Sequence, residues 1–303
     1  KLSRGFLKFG GSNMSETIYF DTGKIVESIS KSMILDTNNF DYNEINEEIY
    51  ELYNYLPLLY KDKSESDYIK SLFQALELSY TNKLYQFAYL QLHMIFMVCI
   101  YYMLLQVNEV APTEMENALY YMIKDKNRIK DFYGKSNTRN GKLYFGSFAV
   151  LGECDVFLLL KIASIDSDLQ GELKKLVEER NKYAHANGNI TITSQTTIDE
   201  KISKYINTLE RVLNLLRPLV EELYRKILTD PDFYDSENRS GYLDDNVQIK
   251  EEFIKKYFIS QKQLNVCRKA NIHQISDEIG FADMKNLHIA LCAYYKSLAE
   301  DVA

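Results

Sequence analysis

Turn signals are scarce in this chain, with 12 Gly and 4 Pro among 303 residues, where average usage gives about 21 and 15. Gly and Pro are the residues that break helices and separate strands, so their scarcity leaves long stretches with nothing to stop a helix. An all-α fold is the expectation. Apolar positions at helical spacing support it. Ile45, Ile49, Leu52, Tyr53 and Leu56 form one such row before Pro57. Ser66 opens an amphipathic run to Leu78, and a longer helix is expected from Asn82 to Val107. Thr113 with Glu116, and Thr197 with Glu200, read as capping boxes for helices reaching Phe132 and Leu228. Ser147 to Ser164 reads as another apolar helix, Asp166 or Ser167 caps the next, and Pro218 marks a kink in the long helix from Thr197. Beyond it, helices are expected over Ile249 to Ile259, Gln261 to Ile272 and Asp283 to Ala299.

Within the Asn82 to Val107 helix, Met94 to Leu105 carries no charged side chain. About 20 apolar residues are needed to cross a bilayer, and Gln86, Gln91, His93 and Gln106 interrupt this run at both ends. The central member of a bundle is the better reading, with His93 a hydrogen-bonded core histidine and no membrane partner expected.

Charge is distributed unevenly. A net charge of −7 argues against coating nucleic acid or an anionic membrane by bulk charge. Residues 1–13, ending in Gly10-Gly11-Ser12-Asn13, read as an expression remnant. Residues 14–65 read as an acidic N-terminal extension, since Glu16 to Tyr60 holds nine acidic residues and two lysines. A short β-prone run at Ile18 to Phe20 and a brief helix at Ile25 to Met33 are expected inside it. Residues 66–229 make the bundle, 230–248 an acidic linker and 249–303 a small helical C-terminal region. Against this background Lys124 to Lys142 holds seven basic and two acidic residues. Lys126, Arg128, Lys130, Lys135, Arg139 and Lys142 are the candidate contacts to a polyanion. The four cysteines, Cys99, Cys154, Cys267 and Cys292, form no CxxC pair, so neither a zinc ribbon nor a disulfide framework is expected. A reducing cytoplasm is the simpler setting. No phosphate-binding glycine loop, nucleophile elbow or metal-spaced His and Cys cluster occurs, and no cofactor is expected.

One segment carries chemistry. It reads Glu179-Arg180-Asn181-Lys182-Tyr183-Ala184-His185-Ala186-Asn187-Gly188. It resembles the HEPN family of helical-bundle ribonucleases and their noncatalytic relatives, whose signature is an Arg, usually followed by Asn, Asp or His, and then a His separated from the Arg by four to six residues. Arg180, Asn181 and His185 fill those positions as candidate catalytic residues. Arg268 to His273 matches the same bare spacing but has Lys269 after the Arg, and is read as structural.

The resemblance implies a HEPN-like up-and-down bundle and metal-independent cleavage of RNA by its own 2′-hydroxyl, leaving a cyclic phosphate and a free 5′-hydroxyl. The residue types suit this. Histidine titrates near neutrality, and Arg offers a planar charged fork to phosphate oxygens. Asn181 orients His185 or holds an oxygen, and Tyr183 packs or stacks on a base. At about 100° per residue, Arg180 stands about 140° round from His185, so one rigid helix does not aim both at one atom. In the family two motifs meet across a twofold interface, which implies a homodimer here. RNA and a regulatory or antitoxin protein are the further implied partners, in bacterial antiviral defence, abortive infection or a toxin system. Where some toxin relatives carry a modified Tyr, this chain has Asn187, which does not support that mode of control. The alternative is a noncatalytic HEPN-type module that binds a nucleotide, RNA or protein.

Overall fold

The computed structural model describes residues 46–123, 143–184, 192–239 and 244–300. Their regular structure is helical throughout. Eleven α-helices occur among the described residues: α1 Glu48–Glu51, α2 Lys63–Thr81, α3 Tyr85–Val110, α4 Pro112–Met122, α5 Glu153–Leu159, α6 Ser167–Ala184, α7 Gln195–Leu228, α8 Pro231–Tyr234, α9 Asp245–Gln248, α10 Gln261–Arg268 and α11 Phe281–Glu300. Short 3-10 turns follow α1 and α5 and precede α5, and a π-helical segment, Ile249–Lys255, continues α9. An isolated antiparallel bridge joins Pro57 to Ser260, with the Leu58 amide donating to the Ile259 carbonyl at 3.0 Å.

The all-α expectation holds, and α3 is the reason the bundle forms as it does. Its residues from Ile95 to Ile100 and from Tyr102 to Val107 are all buried, so partners are needed on every side. Helices α2, α6 and α7 provide them. The helix is long and apolar enough to span a bilayer, yet 78% of its most apolar window is covered by protein. Gln106, one of the interrupting residues, is 2% exposed and donates to the Tyr257 and Phe258 carbonyls at 3.1 and 3.0 Å. It also pairs its amide with that of Gln263. A buried amide left unpaired costs about 1–3 kcal/mol, so this network fixes the register of α3 against the start of α10.

Helix α7 belongs to two cores. Ile198 to Leu216 pack into the large core with α2, α3 and α6. Val220 to Leu228 pack with Phe253, Leu264, Met284, Leu287 and Leu291 in a second one. Pro218 lies between them, and the helix continues through it. The described residues form one compact unit.

Several sequence expectations shift. The stretch from Asp230 to Gln248 is more than an acidic linker in its described part: Phe233 and Tyr234 are buried and Gln248 donates to the Phe233 carbonyl at 3.1 Å. Neither expected capping box forms. Ser194 caps α7 by accepting from the Thr197 amide at 3.2 Å, which makes Thr197 an interior residue of the first turn. Pro112 opens α4 in place of Thr113, since a proline at the first helical position surrenders no hydrogen bond. The apolar stretch from Ser147 is split into a 3-10 turn, α5 and a second 3-10 turn ending at left-handed Ser164. All four cysteines are free. Ile18 to Phe20, Ile25 to Met33 and the helix beyond Met122 lie outside the described residues.

Candidate functional site

Helix α6 starts where Asp166 accepts the Leu169 amide at 2.7 Å, the cap expected from sequence. Its buried residues are Leu169, Leu173, Leu176 and Val177. At 100° per residue, Arg180 falls in the middle of that apolar row, about 20° from Leu169. A cation there needs a counter-charge, because an unpaired buried charge is strongly destabilising.

Glu153 supplies it. The first residue of α5 places its Oε2 on the Arg180 guanidinium, with side-chain exposures of 23% and 26%. The same oxygen lies 3.1 Å from His93 Nε2. Burial alone would raise the Glu153 carboxyl, but hydrogen bonds from His93 and Arg180, with their charges, outweigh it and hold the group below the usual carboxylate range. Among the described residues the Arg180 Nε is buried without a hydrogen-bond partner, so part of the guanidinium's donor capacity is unspent.

The chain of contacts runs deeper. His93, 1% exposed, meets the Tyr205 hydroxyl through Nδ1 at 2.7 Å. That hydroxyl lies 3.1 Å from the Tyr89 hydroxyl. Burial pushes both phenols well above their ordinary pKa, so they act as neutral hydroxyls. Four helices therefore meet in one polar line: α3 with Tyr89 and His93, α5 with Glu153, α6 with Arg180 and α7 with Tyr205. His93 is the hydrogen-bonded core histidine expected.

Neighbours of Arg180 fix the end of α6. Glu179 pairs with Lys201 and Lys204 of α7, which lowers its carboxyl despite burial. Tyr183 packs edge-on against Tyr89 with centroids 5.1 Å apart, and its carbonyl accepts from Gln86 Nε2 at 3.4 Å. Asn181 is half-buried. His185 lies outside the described residues, as do Lys126, Arg128, Lys130, Lys135, Arg139 and Lys142.

The second match to the bare spacing is differently employed. Arg268 donates through Nε to Asn265 Oδ1 at 2.7 Å and lies over the Tyr295 ring at 4.5 Å, while His273 is exposed. An open groove of about 810 Å³ between α6 and α7, lined by Glu172, Lys175, Asp199, Lys204 and Arg211 among others, does not include Arg180. Among the described residues no three His, Cys, Asp or Glu side chains gather as a metal site.

Sequence reasoning singled out Arg180, Asn181 and Tyr183 but missed Glu153, Tyr205 and the role of His93 beside them. One signal was available: Glu153 and Asp155 are the two acidic residues in the largely apolar stretch from Leu143 to Ile165. No family model, curated protein or solved structure matches the chain.

Proposed function

We propose that the protein is a metal-independent RNA endonuclease of the HEPN type, acting as a homodimer in an antiviral or toxin role. The observation that carries this reading is the position of Arg180. It sits one turn before the end of a bundle helix that stops at Ala184, followed by Asn181 and, five residues beyond Arg180, by His185. Its guanidinium is pre-oriented by Glu153 while Nε is left unpartnered among the described residues.

In this reading the RNA phosphate engages the solvent-accessible part of the Arg180 side chain, which is 26% exposed, and the fixed charge stabilises the negative charge that develops at phosphorus. His185 takes the proton from the 2′-hydroxyl or returns one to the leaving 5′-oxygen, with its counterpart across the dimer completing the acid and base pair. No external water enters the first step, since the nucleophile belongs to the RNA. Asn181 orients His185 or a phosphate oxygen.

The Arg180 to Glu153 pair also favours a second reading. A guanidinium already matched by a carboxylate is a weaker electrophile, which suits a noncatalytic module that binds RNA or a nucleotide. Incubation of purified protein with total RNA in EDTA separates the two. The nuclease reading expects cleavage with cyclic phosphate ends, reduced about 10²–10⁴-fold in His185→Ala and in Arg180→Ala, with His273→Ala nearly intact. RNA binding without cleavage in the parent protein supports the module, and neither activity defeats both readings.

A further inference from the structure

We infer that His93 is a positioning residue: through Glu153 it fixes the orientation of the Arg180 guanidinium. The kinetic part of this inference rests on the nuclease reading, whereas the geometric part does not.

The argument begins with what His93 cannot do. At 1% exposure inside α3 it touches no substrate, so any influence passes through a neighbour. Its two ring nitrogens have two partners on different helices, Tyr205 on one side and Glu153 on the other. An ionised carboxylate only accepts hydrogen bonds, so Nε2 carries the hydrogen that points at Glu153. The Tyr205 hydroxyl at 2.7 Å locks the ring plane from behind. The orientation of an imidazole is set by the bond its other nitrogen makes, and Tyr205 makes that bond here.

The second step is competition at one atom. His93 and Arg180 both bond Oε2 of Glu153. A glutamate has three side-chain torsions and, held by Arg180 alone, would swing with it. Held as well by a buried imidazole ring, Oε2 becomes a stationary anchor. Arg180 is thereby aimed, and the buried Nε without a described partner points where that anchor leaves it. Packing alone would need no polar group at position 93, because Phe96 and Tyr205 already flank the ring with centroids 6.3 and 5.8 Å away.

The test follows the Arg180 Nε–H signal in isotope-labelled protein by nuclear magnetic resonance, assigned by its loss in Arg180→Lys. His93→Phe keeps the aromatic volume and removes both hydrogen bonds. Tyr205→Phe removes only the hydroxyl that fixes the ring, and answers the question if His93→Phe does not fold. Both variants are expected to move the Arg180 signal, while His93→Gln, which restores a donor to Glu153, returns it most of the way. RNA cleavage is expected to lose about 10- to 100-fold in kcat, the scale of a misplaced group, with KM within about threefold, and the loss is expected to vanish in a Glu153→Gln background. An Arg180 signal unmoved in a folded His93→Phe, or in Tyr205→Phe, overturns the inference. A moved signal in a protein that cleaves no RNA upholds the positioning role and removes the nuclease reading.

Discussion

Glu153 is bonded by both His93 and Arg180 through one oxygen, and this makes the site's stability depend on acidity in a definite direction. Its carboxyl is held below the ordinary range, whereas in the unfolded chain it titrates near 4.3. The folded state therefore binds fewer protons at this group. Its contribution is complete above the unfolded value and is lost as pH falls through the folded one. Solvent screening of a partly exposed pair limits the contribution to about 1 kcal/mol. Urea unfolding should find Glu153→Gln less stable than the parent by about that amount at pH 6 to 8, with the gap closing below about pH 4. A gap that persists in acid would show that the charge is not what matters. Glu179 and Glu210 shift in the same direction and set the acid limb that remains in the variant. Arg180 and Asn181 were legible because their signature is local in sequence. Glu153 was not, since it lies 27 residues away from Arg180 and becomes a partner only once α5 and α6 pack together.

At the scale of elements, helical periodicity located nearly every long helix, and the errors fall at the ends and in the stretch from Ser147, which is broken into short pieces. Ser194 preceded a convincing Thr197-Glu200 pair, and Asp62 caps α2 by accepting from the Ser64 amide, ahead of the expected start at Ser66. In each case an earlier side chain of capping type was available, and the helix grows backward until such a residue stops it. Long-range packing was harder to read. The burial of Phe233 and Tyr234 inside an acidic stretch depends on α11, and Gly280 shows how closely they approach. Gly280 has a φ of 84°, and a Cβ there would sit 2.2 Å from the Tyr234 ring. Gly280→Ala is expected to lose about 1–3 kcal/mol from backbone strain and to displace Tyr234, read as a lowered thermal midpoint. An unchanged midpoint would mean that the α11 start tolerates a side chain.

For the whole molecule, the all-α class followed from the scarcity of Gly and Pro and from helical spacing, while oligomeric state and RNA path rest on the functional proposal. Sedimentation at micromolar concentration is expected to give a dimer, and an RNA-cleaving monomer would defeat the twofold site. Replacing Lys135, Arg139 and Lys142 by Gln should weaken RNA binding and lower the salt slope by about two, at ~0.7 per cation for a single strand, with turnover at saturating RNA little changed. An unaltered slope would send RNA to another face.

Helix α7 has a final consequence for how this chain can be divided. Its last turns bury Val220, Leu223, Tyr224, Ile227 and Leu228 against the C-terminal helices, and Gln106 reaches the same region from the centre of the bundle. A fragment stopped at residue 229 would carry a bare greasy strip on its longest helix and an orphaned amide in its core. The bundle has no clean place to be cut free, so damage to the C-terminal helices is transmitted to the segment that anchors Tyr205.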